Sequence, residues 1–514
     1  MPSGLAVPPV WRWLSRQGAA AALLGVLACG LFLGALAGLS GEFALIVGVV
    51  VALSAAIVLQ ARLGVWWLCL LFPLSQLNVI PRQMLGITGF SPINVLLLAT
   101  SGAVIVFWVL ARMRGRNDTL PPVPMPLLAL YVLPIAPAAV HGMQYVHLIP
   151  EFYRTAVGAI AFDSPASYLR DVFVRPMFLV AFALLVAMAF RDARDPRRYL
   201  AACIISALLM SGLVFYVAIA SGASLSLLAS PRARGLLSGL GMHANEISLL
   251  LNSALALIVF LIPVVRGAWR VVLIACASVL LAAVLATFSR GGYLGLLLVY
   301  LAFLVHTRDW RWVVLSLLAA VVLLIAAPSA VFDRALHGFA ERDSSAISAG
   351  RLDQIWPLVW PVVLDHIAIG NGLMSILWSE PARAGWLQVA QPHNAYLGLL
   401  LDTGLVGFVW IMAFFAWALR TLLAASREAT EPLYRQLFLG GVVTVLLLFV
   451  QGLSDDRFTP TVPQAFMWFA IGAAIGYRAR LARGVPVAQP HRAPAPSTAR
   501  AGRHNRGYLF RTRA

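Results

Sequence analysis

Between Ala19 and Tyr477 the chain returns again and again to apolar runs of roughly 20 residues, the length that carries a helix across a bilayer. In lipid a run of this kind has no water to satisfy its peptide groups. An isolated run must therefore close its hydrogen bonds internally, as a helix does. Hydropathy and the Pro/Gly punctuation between runs divide the chain into about 14 spans. The first five are Ala19–Leu39, Phe43–Gln60, Leu63–Leu77, Pro92–Leu110 and Val123–Val140. Val172–Phe190, Tyr199–Ala220, Ala244–Val265, Val271–Phe288, Gly292–His306 and Val313–Ala327 follow, and Ala395–Leu419, Phe438–Leu453 and Pro463–Tyr477 complete the set. Composition excludes a string of soluble domains, because only 11% of residues are charged, against about 25% in soluble proteins. The expected fold is an all-α polytopic integral membrane protein with one large loop carrying short helices.

The charged residues set the orientation. With residues 1–18 inside the cell, alternate short connections carry Arg112/Arg114/Arg116, Arg191/Arg194/Arg197/Arg198, Arg266/Arg270, Arg308/Arg311 and Arg420/Arg427/Arg435. Short arginine-rich loops stay cytoplasmic, which places both termini there. The first apolar run hints at a cleavable signal, but it is long and a second run follows at once, so it reads as an uncleaved span. Residues 19–477 then form the transmembrane domain, with residues 328–392 as its large outer loop. Residues 478–514, rich in Arg, Pro, Ala and Gly without apolar periodicity, read as a disordered basic cytoplasmic tail. That tail lacks the interleaved aromatics of a nucleic-acid-binding segment.

All 38 basic residues are arginines. No lysine is present to form a Schiff base or to act as a general base, whereas arginine stays protonated and forks onto phosphate or carboxylate. The four cysteines, Cys29, Cys69, Cys203 and Cys276, lie inside apolar runs without CxxC spacing and read as core residues. No HExxH, GxSxG or Walker pattern occurs, and His337, His366 and His393 lack metal-ligand spacing, so no metal and no cofactor is expected.

A charge beside a membrane span is costly and is therefore a candidate for function. Arg290 lies between two apolar runs in TFSRGGYLG, where the glycines suit close approach by a ligand; the competing reading is an arginine snorkelling to water. Arg175, in DVFVRPMFL, is a similar case, with Pro176 marking a helix start. Arg232 and Arg234 stand in an outer loop, against the usual distribution, and suit an anionic ligand there. Asn245 follows them at the start of a span and can serve as a cap or as a site residue. The stretch from Ser348 to Gly407 adds Arg351 and then Pro392-His393-Asn394, directly before an apolar run. A histidine held there can exchange a proton near neutral pH, with Asn394 capping the helix behind it.

The ordered set SRGG, GRxxxxW (Gly350, Arg351, Trp356), GNG and PHNxYLxxLLDTGLxG, with an Asn-bearing helix start upstream, resembles the O-antigen ligase and Wzy-type polymerase superfamily over residues 232–407. Asp402 stands where that family often has Glu. The resemblance implies a periplasm-facing glycosyltransferase of the bacterial inner membrane. Such an enzyme moves a glycan from undecaprenyl diphosphate to a hydroxyl of lipid A-core or of another lipid-linked repeat, as in lipopolysaccharide or exopolysaccharide assembly. On this reading Arg290 and Arg351 hold the diphosphate, with Arg232, Arg234 and Arg175 as further candidates. His393 serves as base or hydroxyl-orienting group, and Asn394 and Asn245 orient or cap. The alternative from another class is a lipid-linked glycan transporter or flippase, although the chain shows no internal repeat of the kind common among transporters.

Overall fold

A computed structural model describes residue 57 and residues 61–484, apart from 79, 81–82, 85–86, 89–90, 114–122, 156–159, 194, 223–232, 455–456 and most of 327–349. The helices that matter here are α1 (Ala61–Leu71), α2 (Pro92–Met113), α3 (Met125–Met143), α4 (Pro165–Asp192) and α5 (Arg197–Ala220). They continue with α6 (Ala244–Leu261), α7 (Ala268–Ala286), α8 (Arg290–Thr307), α9 (Trp310–Ala326) and α10 (Trp356–Asp365). The last are α11 (Ala395–Glu428), α12 (Pro432–Gln451) and α13 (Ala465–Ala482).

Among the described residues, 9 helices are long and apolar enough to cross a membrane. The chain is thus a polytopic helical membrane protein, but this count does not support the expected 14. The runs Ala19–Leu39 and Phe43–Gln60 lie outside the described residues, apart from Ile57. Leu63–Leu77 proves too short: α1 has 11 residues and passes into a single 3-10 turn at Phe72–Leu74. The helix α9 has 17 residues, and α13, whose last turns carry Arg478 and Arg480, is not among the nine. One small departure from an all-helical fold is a two-stranded antiparallel ribbon, β1 (Gln83–Met84) with β2 (Ile87–Thr88).

The helix α6 is the central one: 83% of its apolar window is buried, against 28% for α7 and α8 at the periphery. Close packing between apolar helices needs small side chains. In α13, Gly472 and Gly476 let the helix press on the backbone carbonyls of Ala183 and Ala187 in α4, where any Cβ would collide.

The connections sort to the two ends of the bundle. At one end Arg197 pairs with Glu431 (2.7 Å) and Arg478 with Glu428 (3.0 Å), while Arg480 donates to the carbonyl of Ala193 (2.5 Å). At the other end lie the starts of α6, α8 and α11. The connection from His141 to Asp171, expected from the sequence as one outer loop, carries short helices among its described residues. It holds a short helix at Phe152–Thr155, and α4 begins at Pro165, seven residues before the expected start at Val172. A π-turn over Arg170–Val174 accommodates the change of pitch. This loop braces the large one, since Tyr153 and Tyr168 donate to the carbonyls of Leu387 and Leu373, each at 2.7 Å. Burial pushes the Tyr153 phenol up to about 12, so it remains a neutral donor.

Candidate functional site

The PHN turn is built from its backbone outward. Asn394 caps α11 as expected, its Oδ1 accepting from the amides of Tyr396 and Leu397 at 3.0 Å each. His393 stands one residue before the cap, in the left-handed region at φ 52°, a conformation costing a non-glycine residue roughly 1–2 kcal/mol. Two bonds fix the turn around it. Trp356 Nε1 donates to the Pro392 carbonyl (3.0 Å), and the Ala395 amide donates to the Gly452 carbonyl (2.7 Å).

The spacing of GRxxxxW follows from a π-turn. Gly350 adopts φ 78° and opens a turn over Arg351–Ile355, which closes with the Trp356 amide on the Arg351 carbonyl. An i→i+5 closure sets Arg351 and Trp356 one turn apart. The tryptophan that holds the PHN turn therefore also fixes where the arginine emerges.

The SRGG turn meets the upstream helix start. Ser289 caps α8 by accepting from the Gly292 amide (3.0 Å) and donates to Asn245 Oδ1 (2.6 Å). Asn245 is therefore not the cap of α6. His243 holds that position, and Glu246 Oε2 accepts from its amide at 2.7 Å. The glycines after Arg290 are helical and serve packing, since a Cβ on Gly292 would strike Ser248 and one on Gly295 would strike Asn252 and Gln451. Their expected role in approach by a ligand gives way to helix contact.

These segments converge. A cavity of about 460 Å³ is lined by His243, Asn245, Arg351, Gln354, Trp386 and His393, among others. That volume falls within the range of roughly 300–1,000 Å³ usual for ligand sites. Among the described residues no carboxylate lines it. Arg290 is half-buried at the first turn of α8, next to the Ser289–Asn245 bond, but does not itself line the cavity. Arg232 lies outside the described residues. Arg234 falls in a short helix at Ala233–Ser238, and its side chain is likewise outside them.

Arg175 is placed elsewhere. It is exposed, pairs with Asp171 (3.7 Å), and lines a second cavity of about 370 Å³ together with Glu246, Asp402 and Arg457. Arg457 falls in SDDRF, a segment that reads in sequence only as a solvated acidic pair; Asp455 and Asp456 themselves lie outside the described residues. Arg457 Nε donates to Gln391 Oε1 (3.2 Å), and Gln391 Nε2 stands 3.5 Å from His393 Nδ1. With Oε1 engaged by the guanidinium, the amide nitrogen faces the imidazole.

The DTG of the apolar run interrupts α11. Gly404 takes φ 63°, ψ −173°, a conformation confined essentially to glycine. The backbone groups freed by this break are paired by the IGNG segment. Asn371 and Gly372 amides donate to the carbonyls of Leu401 and Asp402 (3.0 Å each), and the Leu405 and Val406 amides donate to those of Ile367 (2.7 Å) and Ala368 (3.1 Å). IGNG is thus a turn that plugs a broken helix. Asp402 Oδ1 accepts from the Ser375 amide and hydroxyl, at 3.0 Å each, and so ties the plug to the helix.

Among the described residues no cluster of three or more His, Cys, Asp or Glu could hold a metal ion. The class of protein is thus a polytopic helical membrane protein with an arginine- and histidine-lined cavity at one end of its bundle. Residues 275–412 match the family model described as O-antigen ligase (Wzy_C), so this segment of the chain is similar to that family. The match spans SRGG, GRxxxxW, GNG and PHN, while His243 and Asn245 precede it. No curated protein matches the chain.

Proposed function

We propose that this protein transfers a glycan from undecaprenyl diphosphate to an acceptor hydroxyl, on a lipid A-core or on another lipid-linked repeat, with inversion at the anomeric carbon and without a metal ion. The observation that carries this reading is the meeting of Arg351, His393 and Asn245, from three separate segments, on one cavity free of carboxylates among the described residues. A diphosphate leaving group needs fixed positive charge where its negative charge develops. Arg351 supplies it as a fork, and Arg290, one residue from the Ser289–Asn245 bond, stands by as a second cation. The acceptor oxygen attacks the anomeric carbon as the bond from that carbon to the diphosphate breaks. The hydroxyl proton leaves through His393, which either accepts it at a ring nitrogen or orients the hydroxyl from Nε2. The cavity opens toward the periplasm in this reading, with both termini cytoplasmic and the bundle in the inner membrane. The gathering of Arg197, Arg478, Arg480 and Arg483 at the opposite end supports that orientation.

The test uses purified protein, lipid-linked donor and acceptor, with chelator present. Wild type is expected to join the glycans. His393→Ala is expected to lower the rate by about 10²–10⁴-fold and Arg351→Ala by about 10²–10³-fold, with both proteins folded. Transfer at the wild-type rate by either variant would remove that residue from the chemistry. Movement of donor across vesicles without transfer would make the protein a transporter.

A further inference from the structure

The two cavities differ in the charge that lines them, and that difference identifies a second ligand. The His393 cavity presents Arg351 and two histidines with no carboxylate among its described lining. The second cavity presents Asp171, Glu246 and Asp402 against Arg175 and Arg457. Arg170 also forks onto Asp171 at 3.0 Å, so among the described residues three carboxylates meet three guanidiniums and the charges balance. A diphosphate entering it would find no excess of positive charge among the described residues and would have to compete with Asp171 for Arg175 (3.7 Å). The remaining polar lining includes Ser75, Gln76, Asn94 and Thr459. Carboxylates, side-chain amides and hydroxyls in alternation can both donate to and accept from hydroxyl groups. A polyhydroxylated, uncharged ligand matches that surface as a diphosphate matches the other.

The position of the second cavity fits the same ligand. The first turn of α6 separates the two spaces, with His243 facing one and Glu246 the other. They are joined by the Arg457–Gln391–His393 relay, because Arg457 lines the second cavity while His393 lines the first. A further space of about 40 Å³, lined by Gln391 and Asn394 among others, shares Asp402 and Arg457 with the second cavity.

We infer that the second cavity is a saccharide subsite that binds uncharged sugar units beside the reacting centre. This rests on the transferase reading above, and the sugars belong either to the donor glycan or to the acceptor. Arg175 belongs to this subsite and not to the diphosphate.

The probes are a neutral oligosaccharide, released by mild acid from the producing cell's own surface polysaccharide, and inorganic pyrophosphate. Binding of each to the purified full-length protein is followed by saturation-transfer NMR. Asn94→Leu keeps the branched side-chain shape, Gln76→Leu is one atom shorter, and both remove the amide; each is expected to weaken oligosaccharide binding tenfold or more and to leave pyrophosphate binding unchanged. Arg351→Ala is expected to do the reverse. Unchanged pyrophosphate binding reports an intact fold, and Ser75→Ala and Thr459→Val serve as milder variants should the leucine proteins misfold. In the transfer assay, a raised KM for donor alone assigns the sugars to the donor, and a raised KM for acceptor alone assigns them to the acceptor. Oligosaccharide binding at wild-type strength in all four variants, or its displacement by pyrophosphate, overturns the subsite. Failure of pyrophosphate to bind wild type, with oligosaccharide binding intact, instead strikes the diphosphate assignment and leaves the subsite standing.

Discussion

The bond from Trp356 to Pro392 offers a measurement of how much the PHN turn contributes to rate. Trp356→Phe keeps an aromatic ring in place and deletes the Nε1 donor that reaches the Pro392 carbonyl at 3.0 Å. A neutral hydrogen bond contributes about 0.5–1.5 kcal/mol net, and a partly buried carbonyl left unpaired costs about 1–3 kcal/mol. The turn is already held against the left-handed backbone of His393, roughly 1–2 kcal/mol of local strain. Removing the bond should therefore tilt the turn away from its working geometry by about 1–2 kcal/mol, a factor of about 5–30 in population. The expected outcome is a drop of that size in kcat/KM for glycan transfer by purified protein, with the thermal transition close to wild type. A rate equal to wild type would show that other bonds hold the turn without help. A loss as large as that of His393→Ala would show that Trp356 itself contacts substrate, and the positioning argument would fail.

Three further outcomes follow from the same geometry. Gly404→Ala places a Cβ at φ 63°, ψ −173° against the backbone of Ala368 and Ile369, and should cost at least about 1–3 kcal/mol; yield and thermal transition of the detergent-purified protein report it. Asp402→Ala strands the Ser375 amide and hydroxyl and should lower stability by about 2–4 kcal/mol, with Asp402→Glu recovering part of that loss. Gln451 carries a buried Nε2 without a hydrogen-bond partner among the described residues, so Gln451→Leu should raise stability by about 1–3 kcal/mol, read as a higher unfolding midpoint.

The apolar runs were readable because hydrophobic length is a local property. Every described run falls on a helix, although three are too short or too polar at one end to count as crossings. The candidate site motifs stood out for a related reason: arginine and histidine at span boundaries are rare. What escaped was non-local. The continuous apolar run around Asp402 concealed a helix break, because the deciding feature is a glycine torsion stabilised by a segment thirty residues away. Arg290's glycines suggested a ligand and proved to be helix contacts. Arg175 was grouped with the diphosphate arginines by residue type, whereas the fold puts it in another cavity. Gln391 and Arg457 carried no pattern at all, since their link to His393 exists only once two distant loops meet. The GAAIG of α13 was a legible packing signal that the search for chemistry passed over.

The plugged break in α11 has one more consequence. The short helical stub from Ala395 to Asp402 is bonded to the IGNG plug, the plug is continuous with α10, and α10 begins at the Trp356 that grips the PHN turn. Arg351 and His393 therefore belong to one closed mechanical loop. In the transferase reading, the spacing between the group that holds the leaving diphosphate and the group that handles the incoming hydroxyl is set inside that loop. Sugars of different size can then hang from either partner without resetting the distance at which the bond is exchanged.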